Sequence, residues 1–166
     1  MSRTIKLGFD SASIAKALQE LQGYQLWLRE KTEALAFELT ARGLDISAMS
    51  FERAQYDGPR DDIVYDVEDR GDGVFAIIVD GETAIILEFG AGVTYGNGHP
   101  NPMEYGPGTY PGQTHAMDPG GWYLPKNVFG VSGVHTYGNP PSAAMYQTGK
   151  GLREMVEQAA KAVFGG

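Results

Sequence analysis

The stretch Thr83-Ala84-Ile85-Ile86-Leu87-Glu88-Phe89-Gly90-Ala91-Gly92-Val93 divides the chain in two. Before it lie acidic segments with regular apolar spacing. After it the character changes: residues 90–141 hold twelve Gly and eight Pro in 52 positions, interleaved with aromatic side chains. The run itself is apolar and β-branched, carries one carboxylate and ends in Gly-x-Gly. This pattern predicts a largely buried strand over 83–89 that delivers the chain into a long excursion. The two glycines do not make a phosphate loop, because no Gly-Lys-Ser/Thr follows them.

Upstream of this run, residues 74–79 are also nearly continuously apolar. The intervening Asp80-Gly81 predicts a two-residue hairpin, since both positions of a type I′ turn require positive φ. Two adjacent runs without alternation predict central strands covered on both sides. Residues 63–68 alternate, with Ile63, Tyr65 and Val67 on one face, and 48–56 read as a further strand with Met49 and Phe51 together. Asp57-Gly58-Pro59 and Gly71-Asp72-Gly73 supply turns, completing an antiparallel meander.

The N-terminal third is predicted helical after a short alternating strand at 3–9, where Ile5, Leu7 and Phe9 share a side. Asp10 or Ser11 can cap a helix over 11–22, whose Ile14, Ala17, Leu18 and Leu21 have helical spacing. Gly23 marks a break and Gly43 a C-terminal cap for a second helix over 24–42. In that helix Tyr24, Trp27, Leu28, Leu35 and Leu39 form one stripe, while Leu26 and Phe37 fall nearly opposite. A second apolar patch implies a second packing partner, either another part of the chain or another subunit.

At the other end, Leu152, Met155, Val156, Ala159 and Val163 give i, i+3, i+4, i+7 spacing for a last helix closed by Gly165. Gly149 and Gly151 each cost about 1 kcal/mol relative to Ala, which places its start near Lys150 and leaves 143–148 irregular. The excursion between carries Tyr95, Tyr105, Tyr110, Trp122, Tyr123, Phe129 and Tyr137, too many rings for a disordered linker. Short strands are expected at 121–125 and 134–137. The fold class is therefore α+β: N-terminal helices and a C-terminal helix packed on an antiparallel β-meander, with a long Gly/Pro/aromatic-rich loop. The 166 residues form a single domain in which 91–141 is an extended arm.

Composition narrows the function classes. A net charge of −8 argues against a nucleic-acid footprint, which needs clustered Lys and Arg. No apolar run approaches the roughly 18 residues of a membrane helix, and residues 1–6 lack a signal peptide's apolar core. The absence of Cys excludes disulfides, thiolate metal sites and a cysteine nucleophile. Ten acids between Asp57 and Glu88 face only Arg60 and Arg70. They could hold a hard cation, but match no EF-hand spacing and read as a solvated acidic face. His99, His115 and His135 could form an open zinc site, although separations of sixteen and twenty residues fit no compact ligand motif; His99 before Pro100 and His135 before Thr136 read as turn and strand-edge residues. Ser132 and Ser142 lack a nucleophile elbow. No catalytic residue, cofactor or metal is expected.

The order of elements resembles a known family. An apolar strand ending in Leu87-Glu88-Phe89-Gly90-Ala91-Gly92, then a Pro-rich segment and Asn139-Pro140-Pro141-Ser142-Ala143-Ala144-Met145 before a last helix, is similar to the head–tail joining (neck, or tail-completion) proteins of long-tailed bacteriophages, the gene-product-ten-like family named after phage Hong Kong ninety-seven. The family pattern has Thr where this chain has Ala91, and a Phe that the Pro140-Pro141 segment lacks. The resemblance implies a structural virion protein, assembled in the host bacterial cytoplasm, that forms a homo-oligomeric ring joining the tail to the DNA-filled capsid. It implies other neck and tail proteins, such as head-closure and tail-terminator proteins, as partners, and genomic DNA passing through the lumen without specific binding. Contacts to neighbours are expected at Leu26, Phe37, Tyr95, Tyr105, Tyr110, Trp122 and Tyr123. Two other classes compete. A small carbohydrate-binding module would stack Trp122 and the tyrosines on sugars, and a metal-dependent hydrolase would use the three histidines.

Overall fold

One helix sets the dimensions of the molecule. In the computed structural model, which describes residues 8–56, 58–95, 99–100, 118–124 and 133–165, α1 runs unbroken over Ser11–Glu52. At about 1.5 Å per residue it is roughly 63 Å long. It starts where the sequence says it should: the Asp10 carboxylate accepts from the backbone N–H of Ser13 at 2.9 Å and from its hydroxyl at 2.7 Å. These bonds hold the Asp10 carboxyl below its ordinary pKa. Two expected boundaries are absent. Gly23 sits inside the helix with open space around its α-carbon, so it only weakens the helix locally. Gly43 is buried and is no cap: a Cβ there would strike the Ile77 side chain and come within 3.0 Å of Leu152 Cδ1. The helix needs glycine at this point because another helix and a strand both cross it here.

The expected strand over 48–56 is likewise helical as far as Glu52. The buried positions Thr40, Gly43, Ser47 and Phe51 recur every three or four residues. That helical period is carried mainly by small and polar residues, so a count of large apolar side chains misses it. The hydroxyls stay satisfied on the helix's own carbonyls: Thr40 donates to Ala36 and Ser47 to Leu44, each at 2.8 Å. Beyond the helix end, the Arg60 guanidinium donates to the Ala54 and Tyr56 carbonyls at 2.7 and 3.0 Å, placing positive charge at the negative end of the dipole.

The meander is reduced to a hairpin. β1 (Val64–Asp69) pairs antiparallel with β2 (Phe75–Asp80), with Tyr65 opposite Val79, Val67 opposite Ile77 and Asp69 opposite Phe75. Gly71 (φ 79), Asp72 (φ 50) and Gly73 (φ 75) make the connecting turn, as expected. The inner face of the hairpin, Tyr65, Val67, Phe75, Ile77 and Val79, lies along α1. It closes on a core of Phe51, Ala84, Leu87 and Ala144.

The stretch 83–89, expected as a strand, is the helix α2 (Glu82–Phe89). Thr83, Ala84, Leu87 and Glu88 are its buried positions, the i, i+1, i+4, i+5 face of a helix. A short apolar run fits a buried strand and a buried helix equally by composition, and a side chain remote in sequence decides between them. Gly81 (φ 128) has no side chain with which to cap the helix, and Asp62 supplies the carboxylate, accepting from Thr83 N–H at 2.9 Å. The expected Asp80-Gly81 hairpin is thereby replaced by a strand-to-helix turn.

The last helix, α3 (Ala144–Phe164), begins six residues before the expected start near Lys150 and passes through Gly149 and Gly151. It runs antiparallel to α1: Gly151 lies against Ile46, Leu152 against Gly43, and the Phe164 ring sits edge-on to Trp27 with centroids 6.0 Å apart. Between α2 and α3, β3 (Trp122–Tyr123) and β4 (His135–Thr136) form a two-residue antiparallel ribbon at two of the expected strand positions. The class is α+β. The expected strand at 3–9 falls almost wholly outside the described residues, of which Gly8 and Phe9 are not in a strand.

Candidate functional site

Two places in the fold stand out: the junction that closes the excursion, where polar groups are buried, and the length of α1 that leaves large apolar side chains exposed.

The junction is built from both ends of the excursion. At its start, Gly90 (φ 76) and Gly92 (φ 85) turn the chain out of α2. At its end, residues 137–143 return alongside. Ala91 and Asn139 exchange both backbone hydrogen bonds, at 3.0 and 2.9 Å. Glycine is required at 90, 92 and 138, because a Cβ at any of them would collide with the backbone of the opposing segment. The carbonyls at the end of α2 are taken up by the returning chain. Asn139 Nδ2 donates to the Ile86 carbonyl at 3.2 Å, and the Ser142 N–H and hydroxyl both donate to that of Leu87 at 2.8 Å.

Glu88 completes the exchange in the other direction. Its carboxylate accepts from the backbone N–H groups of Met145 at 2.8 Å and Tyr146 at 3.3 Å, and so caps the first turn of α3. The same carboxylate lies 2.8 Å from His99 Nε2. Both residues are buried, Glu88 at 7% and His99 at 6% exposure. The His99 ring packs against Phe89 and Tyr146, with centroids 4.8 and 6.2 Å away. An anionic side chain at a helix N-terminus is favoured both by the free N–H groups and by the helix dipole. Ala143 (φ 50) stands at the cap position with no side-chain hydrogen bond of its own.

These positions correct two expectations. Glu88 does not belong to a solvated acidic face, and His99, expected only as a turn residue, is buried against it. A carboxylate–imidazole pair can move protons in principle, but here both carboxylate oxygens are already engaged and the pair acts as a clamp. Among the described residues no group of three His, Asp or Glu side chains comes together to hold a metal. His135 lies between the Tyr123 and Tyr137 rings, with centroids 4.9 Å from each, on the β3–β4 ribbon. His115 lies outside the described residues.

The second place is α1. Because α3 reaches only to about Trp27, the first turns of α1 extend past it, with Ile14, Leu18 and Leu21 exposed. Leu26 and Phe37, the two residues of the opposed apolar patch, are both exposed, at 65% and 60%. Phe37 also meets the edge of Phe75, centroids 6.0 Å apart. Beside this contact lies an open groove of about 690 Å³ lined by Glu30, Glu33, Ala34, Phe37, Val67, Asp69 and Phe75.

Of the arm residues expected to touch neighbours, Tyr123 is exposed at 70%. Tyr95 and Trp122 are half-buried. The Trp122 ring lies over Gly92, whose Cβ would come within 3.2 Å of it, so the ribbon is seated on the junction. Tyr105 and Tyr110 lie outside the described residues. Reading the sequence missed Glu88, Asn139 and Asp62 as organising residues. The available signal was a single carboxylate inside an apolar run, a costly placement that implies buried partners. No protein-family model, no curated protein and no solved structure matches the chain.

Proposed function

We propose that the chain is a structural subunit of the head–tail junction of a long-tailed bacteriophage, self-associating into a ring through α1 and through the arm at 91–141. The observation that carries this reading is the amount of large apolar surface left on a helix already packed elsewhere. Ile14, Leu18, Leu21, Leu26 and Phe37 are all exposed on α1, distributed over more than one face. Ile14, Leu18 and Leu21, at i, i+4 and i+7, form one exposed stripe, and contiguous exposed apolar side chains of this kind mark a surface that is covered on assembly. The polar groups of the junction, by contrast, are committed to holding the fold. The motif order around Leu87–Gly92 and Asn139–Met145, similar to that of the neck proteins, supplies the context. In this reading the junction fixes the two ends of the arm, and geometry replaces chemistry: surfaces complete one another only in a closed ring. Tyr123 and Trp122 contact adjacent subunits or a neighbouring ring.

The test is genetic and structural together. In a phage carrying this chain, the double change Trp122→Ala and Tyr110→Ala should leave the isolated protein folded by circular dichroism while heads and tails accumulate separately under the electron microscope. Normal virions from the double variant, or from a phage lacking the chain, overturn the reading.

A further inference from the structure

The groove between α1 and the hairpin has a definite chemistry. Its floor is apolar, Ala34 and Phe37 from α1 with Val67 and Phe75 from the strands, and its rim is acidic, Glu30, Glu33 and Asp69. Arg29 is paired with Glu33 at 2.9 Å. Glu30 and Asp69 form no ion pair among the described residues. Such a groove suits a short segment that alternates apolar side chains with Lys or Arg. In this acidic chain, Arg3-Thr4-Ile5-Lys6-Leu7 is such a segment, with Ile5 and Leu7 on one side of an extended strand and Lys6 on the other. The excursion offers poorer candidates. Residues 101–117 contain Glu104 as their only charged residue apart from His115, and 125–132 contain a single cation, Lys126.

Reach decides whose groove is filled. Gly8 lies beside the first turn of α1, where a Cβ would lie 2.8 Å from Ser13 Oγ. Ala34 is 23 residues along the helix from Ser11, about 35 Å at 1.5 Å per residue. Residues 3–7, even fully extended at about 3.4 Å each, carry the chain only about 17–20 Å from Gly8. They fall well short of their own groove. We propose that residues 3–7 of one copy dock in the groove between Glu30, Phe37, Asp69 and Phe75 of a second copy, Ile5 and Leu7 packing on the outer surface of the Phe37–Phe75 pair and the cations meeting the acidic rim. This rests on the self-association proposed above and names the contact that produces it.

The absence of native Cys makes disulfide trapping clean. Two single variants, Ile5→Cys and Ala34→Cys, are mixed under mild oxidation, with Lys161→Cys on the far helix as a control partner. The expected product is a covalent heterodimer of the first two, in clear excess over the Lys161→Cys pairing. Arg3→Glu with Lys6→Glu should abolish the product and weaken self-association by roughly tenfold or more. Adding Glu30→Lys and Asp69→Lys should restore both. Failure of the heterodimer to form while the wild-type protein still assembles by sedimentation overturns the groove contact and leaves the ring reading standing. A groove contact present in a protein that virions do not need overturns the neck reading and leaves the contact. A disulfide formed within one chain, by Ile5→Cys with Ala34→Cys or by Val128→Cys with Ala34→Cys, shows that the groove is filled by its own chain and overturns the proposal.

Discussion

The two halves of α1 are one helix held by different means. The first half caps itself with Asp10 and shows Ile14, Leu18 and Leu21 to solvent. The second half presents Thr40, Gly43, Ser47 and Phe51 to α3 and the hairpin. Each half contains a glycine, and the two behave in opposite ways. Gly23 is surrounded by open space, whereas Gly43 allows a strand and a helix to approach its backbone closely. The same residue type in the same helix is a local weakness in one place and a packing requirement in the other. The contrast extends to the later helices. α1 is capped by its neighbour in sequence, while α2 borrows Asp62 and α3 borrows Glu88 from elements far along the chain.

The largest effect is expected where remote capping is buried. Glu88→Ala removes the acceptor for Met145 N–H, Tyr146 N–H and His99 together. Leaving such groups unsatisfied costs about 1–3 kcal/mol each in a buried site, so a loss of about 3 kcal/mol or more is expected in urea unfolding. A change under 1 kcal/mol would show that the junction is a bystander. Gly43→Val comes next. It forces a branched side chain into the space held by Ile77 and Leu152, and overpacking of this kind costs about 1–3 kcal/mol. Thermal unfolding reads it directly.

Asp62 gives a smaller effect with a pH signature. Burial alone would raise its carboxyl, but hydrogen bonds, chiefly from the Thr83 N–H and hydroxyl, outweigh it and hold the carboxyl below its ordinary pKa. A carboxyl whose pKa is lowered on folding contributes stability that is complete above its unfolded value and is lost as the pH falls through the lowered folded value. Asp62→Ala should therefore lose about 0.5–1 kcal/mol at neutral pH, as for other caps. Its stability difference from the wild type should shrink as the pH drops below about 4. A difference independent of pH in this range would remove Asp62 from the capping role. The smallest effect has the opposite sign. Gly23→Ala relieves a backbone-entropy cost with nothing in the way, and should stabilise by about 0.5–1 kcal/mol. Destabilisation there would mean that the free half of α1 is packed against something after all.

The sequence by itself determined the features whose causes are local. Asp10 announces the start of α1, because its carboxylate reaches N–H groups three residues away. Gly71-Asp72-Gly73 announces the hairpin turn, because only such residues tolerate consecutive positive φ. The alternation of Tyr65 and Val67, and the helical spacing of Leu152, Met155 and Ala159, likewise follow from periodicities written into neighbouring positions. Tertiary structure alone decided the rest, and did so at particular residues. A seven-residue apolar run at 83–89 is consistent with strand or helix until Asp62, twenty-one positions away, caps it. Residues 144–149 have no local side-chain cap and run into Gly149 and Gly151 until Glu88, fifty-seven residues from Met145, satisfies their first turn. Gly43 looks like a terminus until Ile77 and Leu152 close on it. The local preference is worth about 1 kcal/mol or less per residue, and a remote carboxylate cap or a closely packed crossing is worth a comparable amount or more, so the remote partner determines the outcome.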